Sequence, residues 1–249
     1  MQLRPCPEVR ERLDDLRAPD EVRTPVVPQL LHQGRWNAPV WPPELVAGVL
    51  EPRRGFRFKP ENLAFSSLIE PSTRRIWELG AGSGTLGLMA HYFSDALEEL
   101  VFVEVEQAAA SRLRKTIEAH TLASIATVKQ QDIRELTSQA CCDAVVFNPP
   151  YYPVGWGRES EIESVRWATH AHHGSAQAFF RAAKALLTPE GVAYSVFDTA
   201  RIAQWLGWAA DAGFSLLRLV LIEDHRDSRP PTRVWGKFGM RGTQIERIP

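Results

Sequence analysis

Residues 148 to 153 read NPPYYP and follow the apolar run DAVVF. Two adjacent prolines remove two backbone donors, so they end a strand in a fixed, extended shape. The side chain of Asn148 and the carbonyl of Pro149 can then accept hydrogen bonds from the two hydrogens of one planar amino group. Drawing those hydrogens toward acceptors weakens the nitrogen lone pair's conjugation and aims it at an electrophile, which needs orientation and electrostatics but no strong base. Pro150 completes the stop, and Tyr151 offers a face on which a planar substrate such as an extruded base can stack.

A second stretch, ELGAGSGTLGL at 78–88, joins an apolar run to a helical pattern. Gly80, Gly82 and Gly84 permit a tight turn and close backbone approach to a ligand, with Ala81 between them, and the helix start offers free amides. The spelling GSGTLG at 82–87 also satisfies the dinucleotide pattern, so a nicotinamide or flavin enzyme stays open at this point. Glu78 argues the other way. Its carboxylate suits a cationic ammonium group, as in S-adenosylmethionine, and repels a pyrophosphate. Glu104, ending VFVEVE beside Val105, stands where both cofactor classes place an acid against ribose hydroxyls. Asp132 in QQDIREL has two readings, an acceptor for an adenine amino group with Ile133 packed on the ring, or a helix cap completed by Glu135.

These residues need a scaffold, and the sequence spells one. From residue 75 onward, short apolar strands alternate with helical patterns: strands at 75–79, 99–105, 125–132, 143–150 and 191–198, helices from 85, 107, 174 and 200. Strands at FSLLRLVLIE and RVWGKFGM close the chain. The expected architecture is α/β, a Rossmann-like doubly wound, mainly parallel seven-stranded sheet with an antiparallel closing strand, its ligands at the carboxyl ends of the strands. Residues 1–50 are dotted with proline and read as a partly helical N-terminal arm, with a charged helix near 8–17; residues 51–249 read as the domain.

Composition sets bounds. No apolar run approaches the roughly 20 residues that cross a bilayer, and the charged N-terminus lacks a signal-peptide core, which points to the cytoplasm. Cys6 stands alone while Cys141 and Cys142 are adjacent, a usage that suits a reducing compartment. A net charge of −1 gives no global pull on nucleic acid, yet 51–59 and 225–241 are locally basic, either as solvated faces or as a nucleic-acid patch. The spacing of His170, His172 and His173, without a cysteine or carboxylate cluster, argues against a metal site. Tyr152, Trp156 and Trp167 are interleaved with Arg158 and Arg166, as a base entrance or, for Trp167 above all, as packing. Arg229, Arg233 and Lys237 are the candidates for phosphate contacts.

ELGAGSG, VEVE, QQDIREL and NPPYYP, in that order, resemble the class I methyltransferases that modify exocyclic or amide nitrogens. GFRFKPENLAFSSLI at 55–69, NPPYYPVGWGR at 148–158, ATHAHH at 168–173 and RPPTRVWGK at 229–237 are similar to the bacterial adenine-N6 methyltransferases of a valine tRNA. The resemblance implies S-adenosyl-L-methionine as cofactor, Asn148 to Tyr151 as catalytic motif, Arg57 to Lys59 near the cofactor mouth, and tRNA as partner. Other members of the same chemistry act on protein glutamine or on guanine N2 of ribosomal RNA. A fold of this kind can also bind a cofactor without catalysis, against which the intact NPPY motif speaks.

Overall fold

The computed structural model describes residues 21–23, 49–52, 60–137, 139–222 and 232–240. Nine strands lie among them. β1 (Glu21–Arg23) and β2 (Leu50–Pro52) form a small antiparallel pair. The other seven, β3 (Arg75–Leu79), β4 (Glu99–Glu104), β5 (Ala126–Gln130), β6 (Cys142–Phe147), β7 (Leu187–Asp198), β8 (Phe214–Ile222) and β9 (Arg233–Met240), make one sheet in the order β5-β4-β3-β6-β7-β9-β8. Pairings from β5 to β7 are parallel, and β9 runs antiparallel between β7 and β8. This is the expected doubly wound sheet with one antiparallel closing strand. The helix expected near 8–17 lies outside the described residues.

The chain builds outward from β3 through β4 to β5, then returns to the other side of β3 with β6. That reversal opens a crevice at the carboxyl ends of β3 and β6. Residue alternation along the strands sorts the core onto two faces. Ile76, Phe102, Val146 and Trp235 pack toward α1 (Thr85–Phe93), α2 (Gln107–Ala119) and the 3₁₀ helix Pro60–Ser67. Trp77, Val103, Phe147 and Phe238 pack toward α4 (Ala176–Leu186) and α5 (Ile202–Asp211). At the opposite end of the strands, Arg75 clamps β3 to β6. Its backbone amide and Nη2 both donate to Asp143, each at 2.9 Å.

Most element ends fall within a few residues of their sequence-based positions. β6 stops at Phe147, three residues short of the expected 150, because prolines 149 and 150 leave no donors to continue the ladder. Among the described residues one α-helix was not expected, α3 (Glu163–Thr169), which buries none of its residues and so carries no apolar period.

Gly84 sits at the start of α1 with φ of 75°. A Cβ there would approach Leu113 Cδ1 to 2.4 Å. Gly84→Ala is therefore expected to lower stability by roughly 2 kcal/mol, read as an earlier urea midpoint; an unchanged midpoint would contradict this packing.

Candidate active site

Helix α1 begins at a glycine and has no side-chain cap of its own. The missing acceptor comes from the strand before it. Glu78, on β3, takes the Gly87 amide on Oε2 at 2.7 Å, completing the first turn. On the neighbouring strand Glu104 accepts from the Gly82 amide at 2.7 Å and from the Glu106 amide at 2.8 Å. The Ala81 amide donates to the Val103 carbonyl. The glycine loop is thus pinned between two buried carboxylates. Gly80, Gly82 and Gly84 all have positive φ, and a Cβ at Gly82 would meet open space, so this backbone faces the cavity unshielded.

Burial pushes the Glu78 carboxyl up to about 8, against the pull of the Gly87 and Leu86 amides. Burial raises Glu104 as well, again opposed by amides at Glu106 and Gly82. Two desolvated acids side by side describe a site completed by a cation and by hydroxyl or amino donors. Asn62 adds a third acceptor. It is 6% exposed, lines the same cavity, and its Oδ1 has no hydrogen-bond partner. The donor demand of Glu78, Glu104 and Asn62 fits S-adenosylmethionine, with its ammonium, ribose diol and adenine amino group, and disfavours a pyrophosphate.

Of the residues singled out in the sequence for the cofactor and the motif, nine line this one cavity: Glu78, Gly80, Ala81, Gly82, Glu104, Val105, Ile133, Asn148 and Pro150, and His173 joins them. Gly84 is buried behind it against Leu113. Asp132 does not line it. Its Oδ1 accepts from the Arg134 amide and Nε, both at 2.9 Å, and Arg134 Nη2 donates to Oδ2 at 2.6 Å, so this carboxylate caps the 3₁₀ turn Ile133–Glu135. The side-chain hydrogen bond from Arg134 holds it below the ordinary carboxylate range. Phe179 of α4 and Trp167 of α3 also line the cavity. For Trp167, read from sequence mainly as packing, only α3 itself could have revealed the position.

Pairing of Leu79 with Phe147 sets the ends of β3 and β6 level, so Asn148 opens into the same cavity as Glu78. Pro149 is buried. The Tyr151 hydroxyl donates to Asn148 Oδ1 at 2.8 Å, fixing the amide and leaving its second lone pair. The Tyr151 ring meets Phe197 edge-on at 5.2 Å, and the Arg233 guanidinium lies 4.8 Å over it. Arg201 Nη1 donates to the Tyr151 carbonyl.

Tyr152 and Arg158 belong to a separate cleft just beyond the motif. The residues expected at phosphates are differently engaged: Arg233 also reaches Asp198 at 3.4 Å, and Lys237 pairs with Glu70. Arg229, like Arg57 to Lys59, lies outside the described residues. Of the histidines, His170 Nε2 donates to the Trp156 carbonyl at 2.9 Å and His172 Nε2 to Glu159 at 3.0 Å, so they brace the loop after the motif.

The model of a family described as Methyltransferase small domain matches residues 61–204. A tRNA1(Val) (adenine(37)-N6)-methyltransferase from Pectobacterium carotovorum is 33% identical over 124 residues, covering 49% of this chain and 49% of that one. One of the same description from Shewanella sediminis is 26% identical over 163 residues, covering 63% and 65%. The chain thus spans from about half to just under two thirds of the length of these relatives. Among solved structures, a putative RNA methyltransferase from Pyrococcus horikoshii superposes with a TM-score of 0.52 at 18% identity, covering 94% of this chain and 97% of the other. A putative S-adenosylmethionine-dependent methyltransferase from Listeria monocytogenes gives 0.54 at 8% identity, over 74% and 100%. Both share the fold.

Between the ordinary carboxylate range and about 8, the folded chain keeps a proton on Glu78 that the unfolded chain has lost. Stability from this group therefore falls as pH rises through that window and levels off above it. Glu78→Gln removes the dependence while keeping an acceptor for the Gly87 amide. Its melting temperature relative to the wild type is expected to climb between about pH 5 and pH 8, while affinity for S-adenosylhomocysteine drops roughly tenfold or more. A pH-independent difference in melting temperature would contradict a buried, neutral Glu78.

Proposed function

Because the chain belongs to the methyltransferase small domain family, we propose that it is an S-adenosylmethionine-dependent N-methyltransferase acting on an exocyclic amino nitrogen, adenine N6 in tRNA. One observation carries this reading: Glu78 and Asn148, at the level ends of neighbouring parallel strands, open into one cavity. The first suits a cationic cofactor and the second a planar amino group. When bound, S-adenosylmethionine provides an electrophilic methyl group on its sulfonium.

Glu78 and Glu104 hold and orient that cofactor through its ammonium and ribose ends, with Asn62 as a further acceptor. Asn148 Oδ1 and the Pro149 carbonyl accept the two hydrogens of the amino group. This holds the nitrogen lone pair toward the cavity and stabilises the positive charge that grows on nitrogen during transfer. The Tyr151 hydroxyl, donating to Asn148, keeps the oxygen of the amide toward the substrate. The proton released after transfer leaves to water, since a protonated amine of this kind is acidic enough to need no dedicated base. Phe179 and Trp167 give the cavity an apolar stretch of wall.

Adenine in tRNA is favoured by the relatives from Pectobacterium carotovorum and Shewanella sediminis, both described as acting on that substrate. Residues 51–249 are taken as the catalytic domain and 1–50 as an arm, which the β1 to β2 pairing ties to the domain's first residues. A cytoplasmic protein with tRNA as partner fits this reading; no helix among the described residues is long and apolar enough to cross a membrane.

The direct test is incubation with labelled S-adenosylmethionine and separate pools of tRNA, ribosomal RNA and protein, followed by nucleoside mass spectrometry. N6-methyladenosine from tRNA is expected; N2-methylguanosine or methylated glutamine would replace the substrate. Asn148→Ala should cut turnover roughly hundredfold or more while S-adenosylhomocysteine still binds nearly as well. Wild-type turnover in that variant would remove the proposed role of the motif.

A further inference from the structure

Directly beyond the Asn-Pro-Pro-Tyr motif lies a second cleft, of about 430 Å³, walled by Tyr152, Trp156 and His170 with Gly157 and Arg158 at its rim. It is separate in lining from the cavity at the glycine loop. Trp156 is 59% exposed, the most exposed large apolar side chain among the described residues, and Val154 and Ile162 in the same segment are exposed too. Such exposure of an indole costs free energy in water unless something covers it.

The segment is held in this form by several independent contacts. Tyr152 donates to the Thr169 carbonyl and accepts from the Ala171 amide. His170 holds the Trp156 carbonyl, and Glu159 takes both the Gly155 amide at 2.8 Å and His172. Glycines 155 and 157, on either side of Trp156, have φ of 78° and 71°, so two left-handed turns present the ring at the tip. Arg201 lies 5.4 Å over the Trp156 ring and donates to the carbonyl of Tyr151, which couples the cleft to the motif.

We propose that this cleft binds the nucleotide adjoining the one methylated, its base stacked against Trp156 and Tyr152 and its phosphate beside Arg158. The chemistry is that of single-stranded nucleic-acid recognition, aromatic faces for a base next to a cation for the backbone. Two features favour RNA over a peptide as the occupant. The walls are three flat rings without an apolar pocket for an aliphatic side chain. Among the described residues the free charge lining the cleft is the cation Arg158, since Glu159 is taken up by Gly155 and His172, and neither Glu161 nor Glu163 lines the cleft. The proposal rests on the reading of RNA as substrate and adds a position that places the target adenine over Asn148.

The test compares an intact valine tRNA transcript with transcripts carrying an abasic residue on either side of the methylated adenine, using wild type, Trp156→Ala and Trp156→Phe. Trp156→Ala is expected to lower kcat/KM on the intact transcript roughly tenfold or more, mainly through KM, with S-adenosylhomocysteine affinity unchanged. Trp156→Phe keeps a stacking face and should recover most of the loss. One abasic substitution should cost the wild type a similar factor and cost Trp156→Ala little more, because both remove the same contact. Full activity of Trp156→Ala on the intact transcript, or losses that multiply, would overturn the cleft assignment while leaving RNA methylation in place. Absence of product from wild type and intact transcript, with methylation of protein instead, would overturn the RNA reading and the cleft together.

Discussion

Two carboxylates taken out of water at the ends of adjacent parallel strands hold the rest of the site in place. Glu78 and Glu104 are both under 10% exposed, and among the described residues neither has a lysine or arginine against it to offset its lost hydration. Their compensation is backbone: amides of the glycine loop, of the first turn of α1 and of the turn after β4 point at them. This exchange fixes the loop, caps α1 and leaves the remaining carboxylate capacity directed into the cavity. Burial without a protein cation is costly, and it is a state that a cationic ligand relieves.

The doubly wound sheet makes that arrangement useful. Reversal of strand order at β3, between β4 and β6, brings a loop that favours positive charge beside a strand end that carries the acceptor oxygen of Asn148. A cofactor held on one side and an amino group on the other then meet without a strong base in the site. Support for the acceptor end comes from far along the chain: Arg201 of the turn before α5 and Arg233 of β9 both grip Tyr151, and Tyr151 in turn holds Asn148. The antiparallel last strand therefore does more than close the sheet, since it carries one of these arginines.

Much of this was legible in the sequence because strands buried on both faces are written as short apolar runs, and turns with positive φ are written in glycine. Glu78, Glu104 and Asn148 could be singled out because each sits at the end of such a run. Asp132 was ambiguous from its neighbours, and the structure shows the capping side of that ambiguity. What could not be read were contacts made across the chain. Asn62 enters the cavity from the 3₁₀ helix before β3, Trp167 from a helix with no buried face, and Phe179 from α4. Lys237 finds Glu70 at a separation of 167 residues and Arg233 finds Asp198 at 35, so local basic character overstated how much free charge those positions carry. Of the histidines, weighed only as ligands, His170 and His172 turn out to brace the loop that presents Trp156, while His173 lines the glycine-loop cavity.

The central claim is that Glu78 waits protonated for a cation. Calorimetric titration with S-adenosylhomocysteine near pH 6.5, repeated in buffers of different ionisation enthalpy, reads the protons exchanged on binding. With the carboxyl pushed up to about 8 in the free protein, binding of the ammonium should release about one proton, and Glu78→Gln should abolish that release. Binding with no proton release in the wild type, or binding of NAD in place of S-adenosylhomocysteine, would contradict the account.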